Sequence, residues 1–491
     1  MRSRGRRRGS AASFQLYTPD EERAVVRKFD RRLVVFLALL YMLSFLDRSN
    51  IGNARVAGMD DDLQGDRRDS RWYEWALTAF YITYIGFEWM ALLWRIIPPH
   101  IYISVLVMSW GLTASLQAVA INYPMLVALR AVLGIGEAGF TGVPFYLSFF
   151  FKRHELAFRT AIFISAAPLA TTFASSLAWL IMKVGQNGPI APWRLLFLVE
   201  GFPSILIAAV AWTVIPDSPE KASYLTHRQR KVARLRLRHE QPSPNPKKST
   251  NNSPNKLSLR ATLSVLTSPV AWLTAAIFFL TNMAYSSLPV FLPTILTSMG
   301  HSPLLSQALS APPYLVSFII LLTTAYASDA SRSRSPYLIA SALLSSVGYA
   351  FLALTGTSIL QLPPGHTLRY LAVYPAAVGF FNVVVLTVSW SLNNQRGASR
   401  QGGGFALMQV VGQCGPLVGT RLYPDEEGPY YERGMAVCAV AMGVVAVLGL
   451  VLKVYLGGLN RGLDEDEGGD GEGDGLATRG AGEMEKFRYM L

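Results

Sequence analysis

Residues 33–55 read LVVFLALLYMLSFLDRSNIGNAR, and this stretch decides the fold class of the chain. Its 23 residues are long enough to cross a hydrocarbon core about 30 Å thick. Asp47 and Arg48 nevertheless lie inside it, where an ionisable side chain costs several kcal/mol and is a functional candidate by default. The stretch therefore predicts a membrane-spanning helix that carries two functional charges.

The composition of the whole chain extends this prediction. Of 491 residues, 51% are hydrophobic and 16% are charged, with a mean hydropathy of +0.29. Soluble proteins usually carry about 25% charged residues, so a soluble fold is excluded. We predict an all-α membrane protein with twelve transmembrane helices in two six-helix halves. The spans are 33–55, 73–94, 101–120, 124–150, 158–184, 194–215, 269–292, 311–330, 336–357, 370–392, 402–421 and 434–456.

The charged segments divide the chain into five parts. They are a basic N-terminal tail (1–32), a six-helix half (33–216), a basic and disordered linker (217–268), a second half (269–456) and an acidic, disordered tail (457–491). Within the linker, Thr226–Arg238 is either a helix on anionic lipid or a solvated run of charge. The tail 1–32 lacks the apolar core of a signal peptide, although an arginine-rich mitochondrial presequence is an alternative.

Basic residues in the short loops predict the orientation. Loops on the side of the N-terminus carry Arg95, Lys152, Arg153, Arg159, Arg332, Arg334, Arg396 and Arg400, whereas residues 293–310 carry neither lysine nor arginine. The positive-inside rule then places both termini in the cytoplasm. The net charge of +13 follows this topology and does not predict a nucleic-acid partner. The two cysteines, Cys414 and Cys438, are too few for a zinc site, so we expect no metal and no cofactor.

The fourth span, which contains MLVALRAVLGIGEAGFTGVPF (125–145), carries a second group of charges. Arg130 and Glu137 are seven residues apart, which returns to nearly the same helix face about 10 Å further along the axis. The intervening glycines let another helix approach closely. A cation and an acid in this setting suit proton coupling, with Glu137 exchanging protons; a static pair that fixes helix packing is the alternative. A structural ion pair with a neighbouring helix is likewise the alternative for Asp47 and Arg48.

Other acids in or near the spans are weaker candidates. Glu88, near the cytoplasmic end of the second span, could pair with Arg95 or Arg159. Glu200 lies near the outer end of the sixth span. Asp329, with Arg332 and Arg334, has the composition of an inner-gate charge cluster. For Glu88, Glu200 and Asp329 a structural role is favoured over substrate binding.

Several strings together resemble the major facilitator superfamily, and within it the fungal allantoate-permease-like branch of the anion:cation symporter family. They are FLDRSNIGNARVAG, LRAVLGIGEAGF, PWRLLFLVEGFPS, VIPDSPEKASYLT, APPYLVS and WSLNNQ, and the resemblance covers roughly 30–240 and 268–455. It implies alternating access and proton-coupled uptake of a small organic anion, such as allantoate, nicotinate or pantothenate. The first-half loop LLWRIIPPHIYI departs from the superfamily's pattern because it lacks the aspartate, whereas the cluster at Asp329 keeps the equivalent loop of the second half.

The resemblance also assigns roles to residues. Arg48 would bind the substrate carboxylate, Asp47 and Glu137 would take up protons, and Arg130 would couple them. Weaker candidates for polar substrate contacts are Tyr81, Tyr84, Asn282, Tyr285, Asn393, Asn394, Gln409 and Gln413. Gln413 stands where relatives often have asparagine.

The favoured hypothesis is a monomeric symporter of the plasma membrane, with protons and a small organic anion as its partners. Two alternatives remain: a drug:proton exporter of the same fold, and a nutrient sensor that binds substrate without moving it. An enzyme is not expected, because the sequence places no nucleophile–base pair or metal cluster at one membrane depth.

Overall fold

The computed structural model describes residues 17–64, 71–185, 188–238, 264–355, 366–394, 398–469 and 489–490. All regular secondary structure in these ranges is helical. The predicted disordered linker at 239–260 and most of the acidic tail lie outside the described residues.

The described residues up to 238, which include the first half and the segments that flank it, form ten helices. They are α1 (Pro19–Phe29), α2 (Val35–Ala54), α3 (Asp60–Gln64), α4 (Arg71–Phe87), α5 (Pro99–Leu116), α6 (Tyr123–Ala138), α7 (Val143–Leu147), α8 (Arg153–Gly185), α9 (Pro192–Val214) and α10 (His227–Arg238). Helix α2 lies between π-helical turns at Asp30–Val34 and Arg55–Met59, and α4 continues as a 3-10 helix over Glu88–Arg95.

The described residues from 264 to 469 form seven helices. They are α11 (Pro269–Ser298), α12 (Pro303–Ala330), α13 (Ser335–Leu354), α14 (His366–Asn393), α15 (Ala398–Gly412), α16 (Gly415–Gly419) and α17 (Glu432–Gly469). Each predicted span coincides with one of the described helices or with two successive ones. By length and composition, nine described helical segments could cross a membrane. The other three predicted spans are less regular. The first corresponds to α2, which has a π-helical turn at each end, and the second to α4, which a 3-10 segment extends. The eleventh corresponds to α15 and α16, which a turn separates.

Glycines allow the close helix packing that the sequence predicted for the fourth span. A Cβ atom at Gly134 would clash with the backbone oxygen of Phe80 on α4, and one at Gly136 would lie 2.8 Å from Ser109 Oγ on α5. Helix α6 therefore sits directly against both neighbours, and this packing fixes the positions of Arg130 and Glu137. The two halves meet chiefly where α8 packs on α12 and α14, and where α2 packs on α11.

We call the face of the bundle that carries α1, α10 and residues 489–490 the terminal face, and the other the opposite face. Helix α1 was not predicted, although Thr18 and Glu21 form a capping box, a recognisable helix-start signal. Helix α17 runs to Gly469, so the prediction of a disordered tail from residue 457 is wrong over its first part. The residues up to Gly468 include no proline and several good helix formers, so the helix continues beyond the apolar span.

Residues His227–Arg238 form a helix, as one of the two interpretations predicted, and this helix α10 packs on α1. Arg236 of α10 is fully buried and binds Glu22 of α1 at 3.2 Å and Glu155 of α8 at 2.5 Å. Lys152 binds Glu22 at 2.6 Å. Partial burial opposes ionisation of Glu22, but its bonds to Lys152 and Arg236 outweigh it and hold the pKa of Glu22 below its ordinary value. This ion network fixes α1 and α10 to the first half.

Candidate functional site

A cavity lies at the centre of the bundle, between the two halves. In the first half its lining comes from α2, α4, α6, the 3-10 turn Gly139–Gly142, α7 and α8, and in the second half from α11, α14, α15 and α16. The space that the centre of a water molecule can occupy is about 70 Å³, so the cavity suits a small molecule. Among the lining residues that the structure describes, the charged side chains are Arg48 and Glu137.

Arg48 and Glu137 form an ion pair inside this cavity. Arg48 Nη2 lies 2.8 Å and Nε lies 3.3 Å from Glu137 Oε2, and Ser44 Oγ donates to the same oxygen at 2.9 Å. The Glu137 side chain is fully buried and that of Arg48 is 11% exposed. Glu137 Oε1 has no hydrogen-bond partner among the described residues. One carboxylate oxygen thus engages the guanidinium, and the other is available to a proton or to a ligand.

Aromatic rings surround the guanidinium of Arg48. Its Cζ atom lies 4.8 Å from the ring centre of Tyr84, 5.2 Å from that of Phe80 and 6.0 Å from that of Phe45. A cation at these distances is attracted by the ring faces. The aromatic side chains that line the cavity are Tyr41, Phe45, Tyr81, Tyr84, Phe140, Phe163, Phe278, Tyr285 and Phe405. The wall is therefore mostly flat and apolar, with one cation exposed to the centre.

Polar groups of the second half face this cation. Asn282, Gln409 and Gln413 line the cavity, as does Tyr285, whose hydroxyl lies 3.1 Å from that of Tyr41. Asn282 Nδ2 donates to the backbone oxygen of Gly412 at 3.3 Å. Six of the weaker candidates from the sequence, namely Tyr81, Tyr84, Asn282, Tyr285, Gln409 and Gln413, are thus brought together around Arg48.

Asn393 and Asn394 do not belong to this group. Asn394 accepts a hydrogen bond from the backbone N–H of Met490 at 2.7 Å and donates to its backbone oxygen at 3.0 Å. Asn393 Nδ2 lies 3.3 Å from Met490 Sδ. Asn393 is the last residue of α14 and Asn394 follows it, at the terminal face, where both contact Met490. The two asparagines directly follow the tenth predicted span. The sequence gives no sign of their contact with Met490, because it joins residues 96 positions apart.

Asp47 and Arg130 lie behind the cavity wall. Both are buried, and neither is among the described lining residues. Arg130 Nη1 and Nη2 lie 3.4–3.5 Å from the backbone oxygens of Asp47 and Arg48, so Arg130 braces α2 through the main chain. The ion-pair partner of Glu137 is Arg48 of α2, and the alternative of a static Arg130–Glu137 pair is not the contact that forms here. Arg130 and Glu137 lie two turns apart on α6, whereas Arg48 of α2 reaches the Glu137 carboxylate directly.

The predicted gate residues fall into separate places. Arg334 forms an ion pair with Asp329 and donates to Ser328 Oγ at 3.0 Å, whereas Arg332 is exposed. Glu88 is buried, and neither of its carboxyl oxygens has a hydrogen-bond partner among the described residues. Arg159 binds Asp30 at 2.6 Å, so the suggested Glu88–Arg159 pair is wrong.

Contacts between the halves close the cavity towards the opposite face. Arg55 Nη2 binds Asp425 of the second half at 2.5 Å, while its Nε binds Asp60 at 2.9 Å. Its Cζ atom lies 4.3 Å from the ring centre of Tyr73. These four residues, Arg55, Asp60, Tyr73 and Asp425, form what we call the outer clasp. The sequence analysis did not select Arg55 or Asp425, since nothing local links residues 370 positions apart.

Two further contacts lie near the outer clasp. The hydroxyls of Thr78 and Thr420 are 3.3 Å apart, and Gln307 Nε2 donates to the backbone oxygen of Asn53 at 3.3 Å. The conformation is therefore one in which the site is sealed from the opposite face. No group of three or more histidine, cysteine, aspartate or glutamate side chains within the described ranges could hold a metal ion.

Comparison with known proteins identifies the family. Residues 37–420 match the family model of the Major Facilitator Superfamily. The chain is 31% identical over 454 residues to the MFS transporter prlL of a fungal species (strain NRRL 50135), covering 91% of this chain and 89% of that protein. It is 26% identical over 439 residues to the high-affinity nicotinic acid transporter of Saccharomyces cerevisiae, covering 89% and 78% respectively.

The fold is shared with a solved transporter. The proton:xylose symporter XylE, in complex with 6-bromo-6-deoxy-D-glucose, superposes with a TM-score of 0.65 at 14% identity, covering 85% of this chain and 95% of that one. At this identity the likeness concerns the fold, which is the twelve-helix architecture. The chain belongs to the Major Facilitator Superfamily, and it is a membrane transporter rather than an enzyme.

Proposed function

We propose that this transporter is a proton-coupled symporter that carries a small organic anion, of the monocarboxylate type, into the cell. The observation that carries the proposal is the Arg48–Glu137 pair in the central cavity. An arginine presents a planar fork of donors that matches a carboxylate, and it stays charged throughout. The allantoate-permease-like branch, to which the sequence motifs are similar, supports the same substrate class.

The pair also offers a mechanism for coupling. While Glu137 is ionised it occupies the guanidinium of Arg48. A proton on Glu137 removes its negative charge and frees Arg48 for the carboxylate of the substrate. The cavity then exchanges one anionic partner of Arg48 for another, so its net charge is unchanged when one proton and one monocarboxylate bind together. Neither binds as well alone, because each would leave an unbalanced charge in a low-dielectric site.

The lining favours small planar acids within this class. Tyr84 and Phe45 line the cavity with their rings 4.8 and 6.0 Å from the Arg48 Cζ atom, so they offer apolar faces to a ring attached to the carboxylate. Gln409 lines the cavity, and the Nε2 group of its amide can donate a hydrogen bond to a ring nitrogen. Nicotinate, which a 26% identical relative is named for, has this shape and is our first test substrate.

Orientation and location follow from the same proposal. Basic residues concentrate in the loops of the terminal face, and we assign that face to the cytoplasm. Residues 1–32, the linker 217–268 and the C-terminal tail then all lie in the cytoplasm of a plasma-membrane protein that works as a monomer. The sealed opposite face would be the extracellular one.

The test is proton-gradient-driven uptake into proteoliposomes of nicotinate, pantothenate, allantoate and a sugar acid, with Arg48→Ala and Glu137→Gln as variants. Loss of a charge-assisted hydrogen bond costs about 2 kcal/mol, so Arg48→Ala should weaken substrate binding roughly 30-fold. Glu137→Gln should keep substrate exchange across the membrane but lose accumulation driven by the gradient. Arg234→Ala, on the exposed side of α10, is the matched control and should behave like the parent.

The alternatives predict other results. Movement of a cationic drug outward, with no acid transported, would favour an exporter. Substrate binding without any proton or substrate flux would favour a sensor. Parent-like transport in both cavity variants would refute the assignment of Arg48 and Glu137.

A further inference from the structure

A second group of polar side chains lies inside the first half, away from the substrate cavity. Asp47 and Asn50 are on α2, Gln117 follows the end of α5, and Glu200 is on α9. Each is at most 3% exposed, and none is among the described residues that line the cavity. One carboxylate oxygen of Asp47 and both terminal side-chain atoms of the other three have no hydrogen-bond partner among the described residues.

The packing of α2, α5 and α9 brings these side chains into one file. Asp47 and Asn50 are three residues apart and therefore share a face of α2, which packs on α9. Glu200 lies on the other helix of this interface, near enough to Asp47 for the charge of one carboxylate to affect the other. A Cβ atom at Gly201 would lie 2.6 Å from the backbone nitrogen of Ser115, so α9 touches α5 directly beside Glu200 and close to Gln117.

The file leads towards the opposite face. Glu200 is eight residues from Pro192, where α9 begins, which corresponds to about 12 Å along the helix axis. At that end Trp193 Nε1 donates to Asp62 Oδ2 at 2.7 Å. Asp47 forms the inner end, next to Arg48 in the chain and separated from the cavity by the wall of α2. The file thus connects the region behind the substrate site with the mouth of the first half.

Buried groups of this kind are not left without partners in stable proteins. An unsatisfied buried polar atom costs about 1–3 kcal/mol, and an isolated ionised carboxylate costs far more. Ordered water or a bound proton satisfies such groups. Four neighbouring side chains with free donors and acceptors are therefore suited to hold a chain of water molecules, and Glu200 is suited to carry a proton within it.

We propose that Glu200 is a proton-carrying residue and that the file of Asn50, Gln117 and Glu200 conducts protons between the opposite face and Asp47, apart from the substrate cavity. This inference rests on the proposed proton-coupled function. Protonated Glu200 gives its proton through water to the carboxylate of Asp47, and ionised Glu200 takes a proton in turn from water at the mouth of the file. One proton moves inward and no other bond changes. Protons can then reach Asp47, next to Arg48 in the chain, while substrate occupies the cavity.

The test compares Glu200→Gln with the parent in proteoliposomes, using two measurements. The first is substrate exchange without a gradient, and the second is accumulation driven by a proton gradient, with proton influx followed by a trapped pH dye. Glutamine keeps the size of the side chain but cannot carry a proton. We expect exchange within twofold of the parent, at least a tenfold loss of accumulation and of substrate-dependent proton influx, and partial recovery in Glu200→Asp.

Glu220→Gln, an acid half-exposed at the terminal face, is the matched control and should match the parent in both measurements. Parent-like accumulation and proton influx in Glu200→Gln would overturn the proposal. If the parent exchanges substrate but shows no gradient-driven accumulation, the proposed function fails, whatever Glu200 does. If Glu200→Gln does not fold, Gln117→Met decides in its place, because it removes both polar side-chain atoms of Gln117 at similar volume. The same loss of accumulation and proton influx is expected, and parent-like values would overturn the proposal.

Discussion

Replacement of Asp425 by asparagine should weaken the closure of the opposite face. Asp425 meets Arg55 at 2.5 Å across the interface between the halves, and the Arg55 side chain is 11% exposed. A charged hydrogen bond is worth about 1.5–3 kcal/mol when buried. The Asp425 side chain is 42% exposed, so solvent screens the pair and we take about 1 kcal/mol. The ratio of open to closed molecules at this face should therefore rise roughly fivefold.

Spin-label distances can measure this ratio. Ile121 in the first half and Leu305 in the second are both exposed and lie near the opposite face, so labels there report its opening. The labels are introduced in a background without Cys414 and Cys438. Glu426→Gln, one residue further along, removes the same charge from an exposed position and serves as the control. If both variants leave the distance distribution unchanged, or shift it equally, the outer clasp does not hold the face closed.

Three further predictions use other contacts. A Cβ atom at Gly52 would clash with the backbone oxygen of Val290, so Gly52→Ala should favour the open state more strongly than Asp425→Asn and reduce transport at least tenfold; an unchanged distance distribution would contradict this. Since its two ion pairs hold the pKa of Glu22 below its ordinary value, their stabilisation is complete above about pH 4.5 and is lost as the pH falls through the lowered pKa. Hydrogen exchange of α1 should accelerate over that range in the parent but not in Glu22→Gln, and equal acceleration would refute the role of the pairs. Removal of residues 489–491 should accelerate hydrogen exchange at the ends of α14 and α17, and unchanged exchange would show that the C-terminal contacts do not stabilise them.

The depth and type of the site charges could be predicted from the sequence, but their partners could not. Arg48 and Glu137 were selected because charges within apolar spans are costly. That they bind each other depends on how α2 packs against α6. Arg130 is as buried as expected, yet it binds main-chain oxygens. Asn394 had the right chemistry for a substrate contact, but it lies beyond the reach of the cavity.

The sequence by itself determined the number of spans, their approximate bounds and the identity of the charges within them. The physical reason is that the thickness of the hydrocarbon core sets helix length, and that few charged residues are tolerated there. Only the tertiary structure decided which residues meet: Arg48 with Glu137, 89 positions apart, and Arg55 with Asp425, 370 positions apart. Those contacts depend on which faces of the helices touch and on small residues such as Gly52 and Gly134, and helical periodicity does not specify either.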